Sequence, residues 1–243
     1  MRLDLYLVDH GYCDSRARAQ AAIKAGRVLL NGATARKASH TVGPGDQVVF
    51  EGQAFEYVSR GGLKLEAALK GFDISPAGKV CLDLGASTGG FTDVLLRAGA
   101  EKVYAVDVGH GQLHPEIAQS SRVINLERTH VKDLSLAHVP EPIEILVCDV
   151  SFISLRKALP PAMALCAPLA QLLALVKPQF EVGRAEIGKG GIVRQTPENT
   201  VGTAQKLAQW LEGQSWRVFG LTESPIKGGD GNTEFLIGAT NQT

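Results

Sequence analysis

The strongest chemical signal in the sequence is a glycine-rich turn at residues 80–93, Val-Cys-Leu-Asp-Leu-Gly-Ala-Ser-Thr-Gly-Gly-Phe-Thr-Asp. A strand-like run enters the turn and a helix-like run follows, so free N–H groups at the helix start can face a ligand. Asp107 closes the next strand, where a carboxylate commonly accepts ribose hydroxyls. Asp83 precedes the first glycine and could face a cationic amino group. These features predict a ligand that joins an adenosine-type ribose to an amino acid.

Two other motifs fit this turn less well. The dinucleotide pattern G-x-G-x-x-G fails because Ala86 and Ser87 follow Gly85. Residues 85–89 formally match the G-x-S-x-G elbow of serine hydrolases, with Ser87 as nucleophile. That fold needs a histidine late in the chain, whereas the last histidine is His138. A serine hydrolase therefore stays a weak alternative.

Two glycine-rich segments have alternative interpretations. Residues 183–190 nearly match a phosphate-binding loop, but Gly190 stands where a metal-binding hydroxyl belongs. We predict a mobile loop there. For residues 85–90, simple tight packing of the backbone remains an alternative to ligand binding.

Four ionisable residues stand where an α/β sheet places its active site, beyond the carboxyl ends of strands. Asp149 and Lys177 each end an apolar strand, Glu234 lies beside the last strand, and Lys64 lies just before the sheet begins. Taken singly, each could be a surface ion-pair partner. Asp149 and Lys177 are harder to explain in that way, because partly buried charges usually have a partner or a function.

A basic cluster lies between Ser15 and His40, which contains six cations and no acidic residue. Clustered cations on a small platform suit contacts to phosphates, which give affinity without reading sequence. The alternative is a solvated charged face, and the missing counter-charge favours nucleic acid. The six cations are Arg16, Arg18, Lys24, Arg27, Arg36 and Lys37.

The basic cluster belongs to a small α+β module that covers residues 1–58. We predict a helix over Leu3–His10 and a second helix that Asp14 or Ser15 caps and Gly26 ends. Further predictions are a strand at Val28–Leu30, a hairpin turn at Asn31-Gly32, a turn at Pro44–Asp46 and a strand at Gln47–Phe50.

From Lys79 onward, strand-like and helical runs alternate. This alternation predicts an α/β fold with an open, mainly parallel sheet and helices on both faces. The last two strands are separated only by a loop, which predicts an antiparallel edge. The predicted strands are Val80–Leu84, Val103–Val108, Val123–Leu126, Ile145–Val150, Leu172–Val176, Arg217–Leu221 and Phe235–Ala239. Gly61-Gly62 is a predicted flexible joint between the two modules.

Composition excludes several classes of protein. Of 243 residues, 44% are hydrophobic and 21% are charged, which excludes a wholly disordered chain. Lys+Arg and Asp+Glu each total 25, so any basic site must come from local clustering. Four cysteines without C-x-x-C spacing predict neither a zinc site nor a disulfide framework, and favour a reducing, cytoplasmic location.

Neither terminal targeting nor a membrane span is predicted. Asp4 and Asp9 interrupt the apolar N-terminus too early for a signal peptide. Residues 158–176 approach the length of a span, but prolines divide them. We predict a proline-started helix, a break at Pro168, and then a buried strand.

The basic module resembles an S4 RNA-binding domain. The resemblance rests on residues 14–32, Asp-Ser-Arg-Ala-Arg-Ala-Gln-Ala-Ala-Ile-Lys-Ala-Gly-Arg-Val-Leu-Leu-Asn-Gly, and on Val-Gly-Pro-Gly-Asp at 42–46. Such domains bind structured RNA, which favours recognition of shape and backbone.

Lys64, Asp149, Lys177 and Glu234, in that order, resemble the Lys-Asp-Lys-Glu tetrad of FtsJ-like ribose 2′-O-methyltransferases. An S4 domain joined to that catalytic domain is the architecture of the TlyA family, and the resemblance spans nearly the whole chain. It is carried by Ser-Arg-Gly-Gly-Leu-Lys at 59–64, Cys-Asp-Val-Ser-Phe-Ile-Ser at 148–154, Val-Lys-Pro-Gln-Phe-Glu at 176–181 and Gly-Gly-Ile-Val-Arg at 190–194.

The resemblance implies methylation of the cytidine ribose in ribosomal RNA, with S-adenosylmethionine as donor, no metal, and ribosomal RNA or a ribosomal subunit as partner. It also implies a Rossmann-like methyltransferase sheet at 64–243, an S4 domain at 1–58 and a linker at 59–63. The chain looks like the shorter type of the family, limited to large-subunit RNA. Some relatives are labelled haemolysins, but no span or strongly amphipathic basic helix suggests a lytic role.

The same resemblance assigns roles to residues. Lys177 would stabilise the developing alkoxide or act as base, Asp149 would orient Lys177, and Lys64 and Glu234 would fix the ribose. Asp107 would hold the cofactor ribose, Asp133 would face the adenine amine, and Asp83 would lie near the methionine end. The cofactor backbone would lie along the turn residues Gly85, Ser87, Thr88, Gly89, Gly90 and Phe91. A non-catalytic RNA-binding or ribosome-assembly protein is the second hypothesis, and the oligomeric state is left open.

Overall fold

The computed structural model describes residues 1–10, 12–13, 15–43, 45–50, 57–228 and 231–242. It divides the chain into two compact units, Met1–Ser59 and Arg60–Thr243. Asp14 and Pro44, for which a cap and a turn are predicted, lie outside the described residues. The predicted linker at 59–63 lies within the described residues.

The first unit packs two helices on a small antiparallel sheet. Helices α1 (Leu3–Asp9) and α2 (Arg16–Lys24) precede strands β1 (Val28–Leu30), β2 (Ala33–Thr34) and β3 (Val48–Phe50), which lie in the order β2-β1-β3. Ser15 caps α2 by accepting a hydrogen bond from the Arg18 N–H, as predicted. Asn31 and Gly32 both have positive φ, which the predicted hairpin turn requires. The core consists of Leu3, Leu7, Ala19, Ile23, Val28, Leu30, Ala35 and Val42.

The second unit is a seven-stranded sheet with helices between most of its strands. Its elements are α3 (Gly62–Gly71), β4 (Val80–Leu84), α4 (Gly90–Arg97), β5 (Lys102–Val106), α5 (Pro115–Ala118), β6 (Val123–Leu126), β7 (Ile143–Cys148), α6 (Leu155–Met163), β8 (Cys166–Val176), α7 (Pro178–Glu181), α8 (Val201–Gly213), β9 (Trp216–Glu223) and β10 (Phe235–Asn241).

The strand order is β6-β5-β4-β7-β8-β10-β9. The first five strands are parallel, and β10 runs antiparallel to both β8 and β9. The predicted α/β fold with an antiparallel edge is therefore confirmed. The strand order reverses between β4 and β7, and at such a switch point the loops diverge and leave a crevice for ligands.

The apolar stretch at 158–176 differs from its prediction. Pro160 and Pro161 lie inside α6, which Ser154 caps, rather than at a helix start. The buried face of this helix outweighs the penalty of the prolines. Pro168 lies inside β8 instead of ending a helix. The pairing with β7 skips from Cys166 to Gln171 there, so the proline occupies an irregularity that needs no ladder hydrogen bond.

Several other element boundaries differ from their predictions, most clearly those of β5 and α3. β5 ends at Val106, and Val108, predicted as the end of this strand, is 67% exposed. Gly62 and Leu63, predicted within the linker, belong to α3. The residues that follow in α3, such as Leu65 and Ala68, are buried. Their packing stabilises a helix that begins at Gly62, although glycine has a low helix propensity. Among the described residues, no helix has the length and apolar character needed to cross a bilayer.

Candidate active site

The four ionisable residues predicted to form the active site lie at the same end of the sheet, where β7 and β8 finish. Asp149 directly follows β7, and its N–H donates to Leu84 O, at the end of β4, over 3.0 Å. Lys177 directly follows β8. Phe235 of β10 is paired with Val176, so the preceding residue, Glu234, stands beside Lys177 in the register. The topology thus brings these groups together at the carboxyl ends of β7 and β8.

The first charge pair joins Lys177 and Asp149. Lys177 Nζ lies 2.5 Å from Asp149 Oδ1 and donates a hydrogen bond to Ser151 Oγ over 2.9 Å. Both charged side chains are largely buried. Desolvated charges interact more strongly than charges in water, so this pair holds the amine in a defined position.

The second pair joins Lys64, from the first turn of α3, to Glu234. Lys64 Nζ donates to Glu234 Oε2 over 2.5 Å, and their side chains are 7% and 3% exposed. Gly228 packs against the same carboxylate, because a Cβ at this position would lie 2.5 Å from Glu234 Oε1. Glu234 thus contacts Lys64 through Oε2 and lies close to the backbone of Gly228 on the side of Oε1.

The glycine-rich turn approaches this site through Gly85. Gly85 has φ +87°, and a Cβ on it would lie 2.7 Å from Asp149 O. The missing side chain therefore lets the end of β7 approach, which is the close backbone packing offered as an alternative for this turn. Gly89, the N-cap of α4, has φ +93° and packs against Leu113. Thr88 is partly buried, whereas Gly90 and Phe91 are buried in the first turn of α4.

Asp107 holds the same turn in place. Its Oδ2 accepts a hydrogen bond from the Ser87 N–H over 2.8 Å, and its Oδ1 accepts from the Gly109 N–H over 2.7 Å. Each oxygen keeps one acceptor position, which leaves capacity for ribose hydroxyls. No histidine of the described residues hydrogen-bonds to the Ser87 hydroxyl, so the hydrolase alternative gains no support. Asp133 lies on a short 3₁₀ helix, exposed to solvent.

Asp83 is fully buried at the end of β4. Its Oδ2 accepts a hydrogen bond from Thr92 Oγ1 over 2.7 Å, whereas Oδ1 is buried without a hydrogen-bond partner in the described part of the chain. Burial raises the pKa of Asp83 to about 7, the Thr92 hydrogen bond opposes that rise, and the nearby Asp149 carboxylate adds to it.

Unsatisfied polar atoms concentrate near the tips of β4, β7 and β8. Besides Asp83 Oδ1, they are Gln179 Oε1 in α7 and Asp149 Oδ1, whose one close contact among the described residues is the Lys177 ammonium. A fourth buried acceptor without a hydrogen bond in the described residues, Asn241 Oδ1, lies away from this site at the end of β10. Buried polar atoms normally have partners, so orphaned acceptors clustered beside a glycine-rich turn fit a ligand that carries hydrogen-bond donors. The amino group and ribose hydroxyls of S-adenosylmethionine are such donors.

The loop at 183–190, predicted to be mobile, is anchored in the structure through the residues that follow it, up to Val193. Asn232 is buried, accepts a hydrogen bond from the Val193 N–H over 2.9 Å and donates one to Gly191 O over 3.0 Å. A bridge between Ile187 and Val193 closes the loop. The loop is therefore tied to the segment that supplies Glu234.

The basic cluster of the first unit needs one correction. Asp4 of α1 is buried and accepts hydrogen bonds from Arg2, Arg16 and Gln20. These contacts hold the pKa of Asp4 well below its usual range, with the Arg2 hydrogen bond as the largest cause. Arg16 thus has a counter-charge from the preceding helix, which the span from Ser15 to His40 does not contain. All six cations are exposed.

Comparison with known proteins agrees with this geometry. A model of the FtsJ-like methyltransferases matches residues 57–241, and a model of the S4 domain matches residues 1–48. A 16S/23S rRNA (cytidine-2′-O)-methyltransferase TlyA from Mycobacterium tuberculosis is 39% identical over 243 residues, covering 100% of this chain and 90% of that protein. The chain belongs to the TlyA family.

Other members of the TlyA family carry a different label. Hemolysin A of Brachyspira hyodysenteriae is 41% identical over 237 residues, covering 97% of this chain and 98% of that protein. A solved structure from Streptococcus thermophilus, provisionally described as a hemolysin, has a TM-score of 0.84 and 38% identity. It covers 99% of this chain and 88% of that one.

The TlyA-family motif at 148–154 contains residues to which the sequence assigned no role. Phe152 is 90% exposed with φ +65°, and its ring centroid lies 5.1 Å from that of Phe180. Glu181 accepts hydrogen bonds from Ser154 Oγ (2.7 Å) and the Leu155 N–H (2.6 Å). The signal in the sequence was the motif itself, which follows a predicted strand, since exposure and pairing depend on the fold.

Proposed function

We propose that this protein methylates the 2′ oxygen of a cytidine ribose in ribosomal RNA, with S-adenosylmethionine as donor. The observation that carries the proposal is the Lys177–Asp149 pair beside the buried Lys64–Glu234 pair at the switch edge of the sheet. Membership of the TlyA family supports the reaction and substrate class. A cytoplasmic site of action follows from the proposed substrate.

When bound, S-adenosylmethionine supplies a methyl group that its sulfonium has already activated. Asp83 would hold the amino group of the cofactor, because Asp83 Oδ1 is a buried acceptor without a partner. Asp107 would add ribose hydroxyls to its two backbone hydrogen bonds, and the turn at 85–91 would lie along the cofactor. The exposed Asp133 would face the adenine amine.

Affinity for S-adenosylmethionine should rise with pH because of Asp83. With a pKa of about 7 in the folded protein, Asp83 is mostly neutral below that pH and gains the charge that attracts an amino cation above it. Between about pH 6 and about pH 7.5, the ionised fraction, and with it the affinity, should increase about tenfold. Calorimetric titration at both pH values measures this change.

The Asp83→Asn variant should bind weakly at both pH values, and the exposed control Asp73→Asn should keep the wild-type rise. An affinity that is independent of pH in the wild type would show that Asp83 does not face the amino group. The same pKa makes the folded state less stable as pH rises from about 4 to about 7, because the unfolded chain ionises earlier. Unfolding measurements at each pH separate this effect from binding.

Lys177 is the group proposed to act on the ribose hydroxyl. A ribose hydroxyl is a poor acid, so an amine beside O2′ favours reaction by taking the proton or stabilising the developing negative charge. Asp149 orients this amine. Lys64 and Glu234 neutralise one another and would position the ribose, since in-line alignment can supply about 7–11 kcal/mol of barrier reduction.

Phe152 supports a nucleotide substrate. An exposed phenylalanine directly after Ser151 offers a ring face beside the proposed reaction centre, and Phe180 contacts this ring from one side. Nucleic-acid bases stack on such rings with about 1–3 kcal/mol per base. We propose that Phe152 contacts the target base while Lys177 acts on its ribose.

The S4 unit would bind the backbone of the RNA through its exposed cations. Replacing Lys24, Arg27, Arg36 and Lys37 together with alanine should weaken RNA binding. It should also flatten the plot of log affinity against log salt by about 0.7–0.9 per lost phosphate contact. Filter binding over a series of salt concentrations measures both effects. Arg16→Ala belongs in a separate experiment, because it removes a partner of the buried Asp4 and should destabilise the unit. An unchanged salt slope in the fourfold variant would place the contact elsewhere.

Incubation with labelled S-adenosylmethionine and unmodified ribosomal RNA tests the proposed reaction. Label should appear on a cytidine ribose, and mapping against both subunits also tests the predicted restriction to large-subunit RNA. If both ligands bind without transfer, the protein is an RNA-binding or ribosome-assembly factor. Ester hydrolysis that depends on Ser87 would instead support the hydrolase hypothesis.

A further inference from the structure

We propose that Ser151 is a positioning residue whose hydroxyl fixes the direction in which Lys177 faces the substrate hydroxyl. The proposal rests on the proposed function and deepens it, because it adds a residue outside the four-residue tetrad. The observation behind it is the 2.9 Å hydrogen bond from Lys177 Nζ to Ser151 Oγ.

Two contacts constrain the amine of Lys177. Asp149 Oδ1 lies 2.5 Å from Nζ, and Ser151 Oγ lies 2.9 Å from the same atom. Lysine carries its charge on a flexible four-carbon stem, so a single carboxylate leaves the nitrogen free to rotate about their common axis. A second acceptor at another point removes that rotation. Two positions of the tetrahedral Nζ then face Asp149 and Ser151. The last position, a lone pair or the third N–H, is fixed in direction and is the one that can face the substrate hydroxyl.

Ser151 can perform this role because its loop is held at both ends. At the start of the loop, the Asp149 N–H donates to Leu84 O over 3.0 Å. At its end, Glu181 accepts hydrogen bonds from Ser154 and Leu155, and between these points Phe152 contacts Phe180. The loop after β7 is thus fastened to α7, which directly follows Lys177. The position of Ser151 Oγ is therefore fixed by these contacts of the loop with β4 and α7.

The hydroxyl of Ser151 does not exchange a proton in this scheme. When Lys177 takes the proton of the ribose hydroxyl, the O–H bond breaks, an N–H bond forms, and the amine becomes an ammonium. The electron pair left on O2′ would form the new bond to the methyl carbon as the bond between that carbon and sulfur breaks, which leaves a neutral thioether. Asp149 and Ser151 both accept from that ammonium, and its charge is later released as a proton to water. Because Ser151 acts only through Lys177, its removal should change turnover and leave binding intact.

The test compares Ser151→Ala, Ser151→Thr and the control Ser121→Ala in the full chain. Ser121 is exposed and precedes β6, at the opposite edge of the sheet. Steady-state methyl transfer gives kcat and KM for RNA, calorimetry gives Kd for S-adenosylmethionine, and thermal unfolding reports on the fold. We expect Ser151→Ala to lose about tenfold in kcat, the effect of one hydrogen bond. KM, Kd and Tm should be unchanged, and Ser151→Thr should restore most of kcat.

The remaining outcomes contradict the proposal. A wild-type kcat in Ser151→Ala means that Asp149 alone orients Lys177. A joint loss of kcat, binding and thermal stability means that Ser151 only supports the loop, and failure of the threonine variant to restore turnover means that the hydroxyl is not the active feature. If the wild-type protein itself transfers no methyl group, the proposed function fails, which this design separates from failure of the Ser151 role.

Discussion

Replacing Lys177 with alanine will slow methyl transfer by about 10²–10⁴-fold while S-adenosylmethionine and RNA still bind. Lys177 Nζ is in contact with Asp149, and a positioned group that accepts or shares a proton typically contributes about 10²–10⁴-fold to a rate. Asp83, the glycine-rich turn and the S4 cations remain in this variant. We therefore expect kcat to fall by about that factor in a labelled-methyl assay, with unchanged affinities for S-adenosylmethionine and RNA.

Two further variants sharpen this prediction. Lys177→Arg keeps a positive charge but cannot give up its proton, so inactivity identifies Lys177 as a base, and substantial activity identifies it as an electrostatic group. Lys70→Ala, in an exposed pair with Glu66 on α3, is the matched control and should be fully active. Full activity in Lys177→Ala would remove this residue from the reaction.

Breaking the Lys64–Glu234 pair from one side will strongly destabilise the second unit. Removing one partner of a buried ion pair leaves an uncompensated charge and typically costs about 3–5 kcal/mol. Glu234→Gln leaves the Lys64 ammonium buried without a counter-charge, since the side chains of Lys64 and Glu234 are only 7% and 3% exposed. The free energy of unfolding can be followed for this unit alone, because both tryptophans, Trp210 and Trp216, belong to it.

A double-mutant cycle completes the measurement. Lys64→Met combined with Glu234→Gln removes both charges, so the double variant should be more stable than the sum of the single losses predicts. Glu198→Gln is the control, because Glu198 pairs with Lys206 on the exposed surface, where such pairs contribute about 0–1 kcal/mol. Equal losses in Glu234→Gln and Glu198→Gln would be inconsistent with a buried pair.

The sequence predicts the architecture well, because local signals repeat along the chain. Strands β4 and β6 begin and end at their predicted residues, and the antiparallel edge follows from a connection without a helix. Errors arise where tertiary contacts override local rules. Pro168 is tolerated in β8 because the pairing skips it, and Gly62 is helical because α3 is buried.

The candidate site shows the same limit more sharply. Residue types and strand ends indicate which residues could act, but not which atoms they meet. The counter-charge of Arg16 comes from Asp4, twelve positions earlier on another helix. The contact of Ser151 with Lys177 spans 26 positions, and the purpose of Gly85 is visible only once Asp149 O is placed beside it. Such contacts join residues that are distant in the chain, so they cannot be predicted from local sequence patterns.

The distance along the chain between Lys64 and Glu234 has a consequence for biosynthesis. The two residues are 170 positions apart, and the ribosome makes Lys64 long before its partner. A message with a premature stop codon before position 234 yields a product in which this ammonium has no counter-ion and β10 is missing. Such a product cannot complete its fold and becomes a substrate for chaperones and proteases. Translation must therefore pass position 234 before the Lys64–Glu234 pair can form.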